Sequence, residues 1–69
     1  MKKYITSEDI INIRSFLVLS QQKFAKKLGV HANTVSLWER GKYLPSIQQL
    51  QKIKELCEEY NIDISKLKK

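Results

Sequence analysis

The sequence predicts an all-α domain of five short helices, and three observations predict it. Apolar residues recur at spacings of three and four along the chain, a hydroxyl or acidic residue precedes nearly every such stretch, and no run alternates with the period of a strand. Thr6 and Ser7 stand before Glu8 and Asp9, a hydroxyl cap followed by acids that suit a helix N-terminus. Ile10, Ile13, Arg14 and Leu17 then trace one face of a first helix that runs to about Leu17 or Val18.

The stretch Ser20–Gly41, SQQKFAKKLGVHANTVSLWERG, carries the next two helices. Ser20 is placed to cap the first of them, with Phe24, Ala25 and Leu28 as its inward stripe and Gly29 to close it in the left-handed conformation. After Val30 and His31 the apolar pair Val35 and Trp38 marks the second, and Gly41 ends it. Two helices of about eight residues around a short glycine-containing turn make a helix-turn-helix unit. In that geometry the second helix can lie in the DNA major groove while the first crosses the backbone.

Lys42-Tyr43-Leu44-Pro45 reads as a loop, because proline disfavours a helical residue before it. Ser46 with Gln49 is a capping-box pair that starts a fourth helix. Ile47, Leu50, Ile53, Cys57 and Tyr60 are its expected apolar stripe, with Leu56 beside it, and Asn61 breaks it. Asp63 is placed to cap a short fifth helix whose Ile64 and Leu67 fold back on the core.

Composition bounds the function. At 69 residues the chain is one domain, 1–69, without room for a second. The net charge of +6 favours polyanions, although small basic domains are often just soluble. A single cysteine, Cys57, excludes an internal disulfide and a cysteine-based metal cluster, and fits a reducing cytosol. No apolar run approaches the ~18 residues of a membrane span, and the start, MKKYI, meets polar and acidic residues too soon for a signal peptide.

With these residues in place, the chain resembles the Cro/C1-type (XRE-like) helix-turn-helix regulators of phage and bacteria. Arg14, Leu17, Ser20-Gln21, Phe24-Ala25, Leu28-Gly29-Val30, Thr34-Val35-Ser36, Trp38-Glu39-Arg40-Gly41, Pro45-Ser46 and Leu50 carry the resemblance, which covers about residues 10–67. It implies a compact five-helix, lambda-repressor-like DNA-binding fold and a cytoplasmic, bacterial or phage-encoded regulator. Val18 stands where the family commonly has glycine, and a β-branched residue disfavours positive φ, so the first joint is expected to take another shape. His31 replaces the usual serine cap of the recognition helix, and the fourth helix reads about one turn longer than usual.

The resemblance also implies roles residue by residue. Gln21 would clamp the DNA backbone at the positive end of the crossing helix. Ala32, Asn33, Ser36 and Leu37 would read bases, and Thr34, Arg40, Lys42 and Tyr43 would touch the backbone. The spacing itself sets Ala32, Asn33, Ser36, Leu37 and Arg40 on one continuous face away from Val35 and Trp38. Arg14 and Glu39 would form a partly buried bidentate pair that aims the recognition helix, against the alternative of two surface charges worth little.

Other residues carry less. His31 has no second histidine, so a cap or a phosphate neighbour is the reading, and no metal or other cofactor is implied. Cys57 reads as a small buried hydrophobe, and Gln22 and the tail lysines Lys66, Lys68 and Lys69 as solvated. Phe16 stands away from Ile13 and Leu17; it either packs under a terminus or marks a partner surface. No nucleophile, acid–base pair or metal constellation can be assembled, which argues against an enzyme.

The leading reading is a sequence-specific regulator of double-stranded DNA, a homodimer repressing from a near-palindromic operator. Ile62, Ile64 and Leu67 are its expected dimer surface. The second reading, from another class, is a protein-interaction module such as an antitoxin or anti-repressor partner that uses Phe16 and the long fourth helix.

Overall fold

The computed structural model describes residues 5–63, and among them the chain forms α1 (Ser7–Phe16), α2 (Gln21–Leu28), α3 (Ala32–Glu39) and α4 (Ile47–Glu59). Four helices are seen, so the expected count of five is not supported; the fifth, with Ile64 and Leu67, falls outside the described residues. α3 lies against both α1 and α2, and α4 packs on α2.

Capping side chains start three of the helices. At α1 the Thr6 hydroxyl accepts from the Asp9 amide at 3.1 Å, and the Asp9 carboxylate accepts from the Thr6 amide at 3.1 Å. Asp9 is thereby drawn inside, buried like its neighbour Ile10. Ser20 accepts from the Lys23 amide, and Ser46 and Gln49 form a reciprocal box at α4. Each such cap satisfies amides that the helix cannot pair itself. α3 is the exception: His31 occupies the cap position with extended backbone and makes no side-chain cap bond.

Every helix then ends in the same way. The amide just past the end donates three residues back and the next donates five back: Val18 to Ser15 and Leu19 to Arg14, Gly29 to Lys26 and Val30 to Ala25, Gly41 to Trp38 and Lys42 to Leu37, Asn61 to Glu58 and Ile62 to Cys57. This Schellman closure needs a left-handed residue at its pivot. The pivots are Val18 (φ 56°), Gly29 (74°), Gly41 (75°) and Asn61 (56°). A Cβ built on Gly29 or Gly41 would meet nothing nearer than 3.6 Å or 4.0 Å, so backbone conformation and not space calls for glycine there. Val18 corrects the sequence expectation: the first joint keeps the shape a glycine would take, with a β-branched residue forced into it and left 87% exposed.

Between these joints the apolar stripes meet in one core. Ile10 and Ile13 come from α1, Phe24, Ala25 and Leu28 from α2, Val35 and Trp38 from α3, and Ile53, Leu56 and Cys57 from α4. Ile5, upstream of α1, joins them, and Leu17, Leu19, Val30, Leu50 and Ile62 pack around the edge. Burial, with the neighbouring Glu58 charge, pushes the Cys57 thiol up to about 11, which keeps it protonated and inert at neutral pH. Two members of the expected α4 stripe are not in it. Ile47 is 83% exposed, because the helical period sets it on the face opposite Leu56, and Tyr60 is 41% exposed beyond the helix end. Tyr60 instead receives the Lys27 ammonium over its ring at 5.7 Å, tying α2 to the end of α4.

The strain at Val18 is measurable. Left-handed backbone costs an L-residue roughly 1–2 kcal/mol, while glycine gives back about 0.5–1 kcal/mol through its freer unfolded chain. Val18→Gly should therefore stabilise the domain by about 1 kcal/mol, read as a melting temperature higher by roughly 4–8 °C. Gly41→Val should lower it. An unchanged or lower melting temperature for Val18→Gly would show that the joint carries no strain.

Candidate nucleic-acid interface

The interface is organised by one carboxylate. Glu39, the last residue of α3, is almost buried, its side chain 7% exposed. Arg14, from the last turn of α1, donates to it from Nε to Oε2 at 2.6 Å and from a terminal nitrogen to Oε1 at 3.0 Å. The other terminal nitrogen of Arg14 reaches the Leu19 carbonyl at 3.0 Å, in the joint between α1 and α2. Gln21, the first residue of α2, adds its Nε2 to Glu39 Oε1 at 2.9 Å. One guanidinium and one carboxylate thus hold the end of α1, the start of α2 and the end of α3 together. The planar fork of arginine is what permits a two-point grip and a third bond at once.

This network fixes Gln21. One amide N–H is held by Glu39, and the second N–H, with the carbonyl, remains at the N-terminal turn of α2. The sequence reading assigned Gln21 outward and Glu39 to Arg14 separately; nothing in residue spacing signals that one carboxylate serves both. The Leu19 carbonyl was missed as well, since backbone acceptors leave no mark in a sequence.

On α3 the outward residues divide. Asn33 and Arg40 are exposed, and Thr34, Ser36 and Leu37 are half-buried. Ala32 is also half-buried and packs against the core edge, so it is not wholly free of the core as its spacing suggested. Asn33, Leu37 and Arg40 follow one another at helical spacing and form the presented ridge. The Leu37 carbonyl accepts from the amides of Lys42 (2.9 Å) and Tyr43 (3.5 Å), which folds the following loop back toward that ridge. Both loop residues are exposed, Tyr43 by 64%. His31 is exposed at the start of the ridge.

The electrostatics are one-sided. From residue 10 to residue 54 the only acid is Glu39, and it is neutralised by Arg14, while Lys23, Lys26, Arg40 and Lys42 stand exposed in the same span. A stretch of this kind, basic and with its one acid paired, attracts a polyanion. Among the described residues no group of His, Cys, Asp and Glu could hold a metal, and no helix is long and apolar enough to cross a membrane.

Burial alone would raise the Glu39 carboxyl, but the hydrogen bonds from Arg14 and Gln21 and the Arg14 charge outweigh it and hold the group below its ordinary range. The hydrogen bond to Glu39 raises Arg14, against a smaller opposing effect of burial. Because the Glu39 value is lowered on folding, the pair contributes its full stability above the ordinary carboxylate range and loses it as pH falls through the lowered value. Breaking a fully buried pair costs ~3–5 kcal/mol; with Arg14 22% exposed, roughly 2–3 kcal/mol is expected for Glu39→Gln at neutral pH. In urea titrations the gap between wild type and Glu39→Gln should narrow below about pH 5. A gap that is constant with pH would show that the charge of Glu39 contributes nothing.

Comparison with known proteins agrees with this geometry. A family model described as helix-turn-helix matches residues 19–67, most of the chain and all of α2, α3 and α4. No curated protein and no solved structure matches significantly. With α2 and α3 joined by a three-residue glycine turn, and the match spanning well over half the sequence, the chain belongs to the Cro/C1-type helix-turn-helix family of DNA-binding regulators.

Proposed function

We propose that this domain is a sequence-specific repressor that binds a near-palindromic operator as a homodimer, with α3 in the major groove. The observation that carries the reading is the Arg14–Glu39–Gln21 network, which ties the N-terminus of α2 to the C-terminus of α3. A recognition helix must be held at one angle to the helix that crosses the backbone, and this network is a means of holding it. Gln21 then turns its second N–H, with the positive end of α2, toward a phosphate. Thr34, Arg40, Lys42 and Tyr43 supply further backbone contacts.

Base reading falls to Asn33, with Ser36, Leu37 and the edge of Ala32. Guanine is usually read by a bidentate Arg or Lys, and adenine by Asn or Gln. The first turns of α3 hold no Arg or Lys, so Asn33 pairs with an adenine and Leu37 packs on thymine methyls. Half-sites rich in A·T follow, about 34 Å apart between the two recognition helices. A protein-interaction role is the second reading, favoured by Phe16 (58% exposed) beside Val18 at the α1–α2 joint; DNA-independent complex formation lost in Phe16→Asp would support it.

Selection of sites from random duplexes tests the main reading. It should yield an A·T-rich paired motif, and Asn33→Ala should lose ~1–3 kcal/mol on that motif with little change on random DNA. A G·C-rich core, or an unchanged motif for the variant, would show the assignment to be wrong. Gln21→Ala, its stability checked because the bond to Glu39 is lost too, should weaken all sequences alike. The slope of log affinity against log salt should be about −0.9 per phosphate neutralised, and affinity insensitive to salt would sink the reading.

A further inference from the structure

α4 has two faces, and among the described residues only one meets the core. Ile53, Leu56 and Cys57 enter the core, whereas Ile47, Gln51, Lys54 and Glu58 form a second stripe on the far side, spaced by four, three and four residues. An open groove runs along it, lined by these residues with Leu50 and Glu55 at its flanks. Its N-terminal end is an apolar ledge: Ile47 is 83% exposed and Leu44, just before the helix, 67%.

The charges on α4 run against the helix itself. Its first turn holds no acid and its last turn no base, while Glu55, Glu58 and Glu59 crowd toward its C-terminus. A helix dipole favours the reverse arrangement. In a chain of net charge +6 with seven acids, this end of α4 is an acidic exception. A partner that places a helix N-terminus and an apolar knob against that end would correct the mismatch. The chain carries both features itself, at Ile47.

We propose that the outer stripe of α4 is the surface on which a second copy of this chain packs, with the two α4 helices antiparallel. With the twofold axis between Lys52 and Ile53, Gln51 of each copy meets Lys54 of the other, and Ile47 enters the groove of the other beside its Glu58. Glu55 and Glu58 then flank the N-terminal end of the second copy's α4, where its unpaired amides and positive dipole end lie. The arrangement is isologous, as a twofold dimer requires, and therefore closes. The seam begins directly after the loop carrying Lys42 and Tyr43, so the copies meet beside the edge of each recognition helix. The proposal rests on the homodimer reading above and moves its surface from Ile62, which packs on the core, to α4.

Sedimentation equilibrium of the full chain tests it, with circular dichroism to verify folding. Ile47→Glu should weaken the dimer by at least about tenfold, and should keep the fold because the position is exposed and an acid suits the first turn of a helix. Glu58→Lys should weaken it too, and an equimolar mixture of the two variants should recover dimer as a heterodimer. A monomeric wild type, or an Ile47→Glu protein that dimerises as wild type does, would overturn the proposal. So would dissociation by Phe16→Asp with Ile47→Glu unaffected. Affinity for a duplex recovered by site selection is measured separately: no binding to any duplex defeats the DNA reading, while sedimentation still judges the α4 surface.

Discussion

The domain depends on a single partly buried carboxylate. Glu39 sits where three chain segments converge, and it would be costly there without its partners. Arg14 supplies both charge and geometry, spending two nitrogens on Glu39 and the third on the Leu19 carbonyl. Gln21 completes the shell of Glu39. The apolar core alone would hold α3 near α1 and α2 but would set its angle loosely, since hydrophobic contact has no direction. The network is directional, and it fixes the C-terminal end of α3, so that Asn33 at the far end, which a small rotation would move most, is held in place.

The joints are the second constraint. All four helices among the described residues close by the same pair of backbone hydrogen bonds, so this part of the chain is a series of short helices re-aimed by one device. Such a device needs a residue at ease with positive φ, and the chain places its only two glycines at two of the four pivots and an asparagine at a third. Val18 is the departure, and its strain is sustained by what surrounds it. Leu17 and Leu19 pack on the core on either side, and the Leu19 carbonyl is gripped by Arg14. The same ion pair that aims α3 therefore also holds the strained joint closed.

Charge divides the molecule into two regions. From residue 10 to residue 54 positive groups prevail and the one acid, Glu39, is held by Arg14, whereas the end of α4 gathers Glu55, Glu58 and Glu59. The first region suits a phosphate backbone. The second would repel one and is better matched to a helix N-terminus. A basic domain can thus carry one surface for nucleic acid and another for protein without either interfering.

The sequence by itself determined the elements. Local signals placed α1 to α4 because caps, pivots and apolar spacing are all short-range: Thr6 with Asp9, Ser20, Ser46 with Gln49, and the glycines at 29 and 41 act within a turn of themselves. The fifth helix had only such a signal at Asp63, and it lies beyond the described residues. Tertiary structure decided what no local pattern holds. Ile47 is an expected member of the α4 stripe but lies on the opposite face of the helix, with Gln51, Lys54 and Glu58, because Ile53, Leu56 and Cys57 set which face meets the core. Asp9 reads as a first-turn acid of α1, and only the packing around that turn leaves it 1% exposed. Val18 adopts a backbone its side chain resists, because the Leu17 and Leu19 contacts and the Arg14 grip outweigh a cost of about 1–2 kcal/mol. That Gln21 and Arg14 share one carboxylate follows only when residues distant in the chain are brought within hydrogen-bond reach.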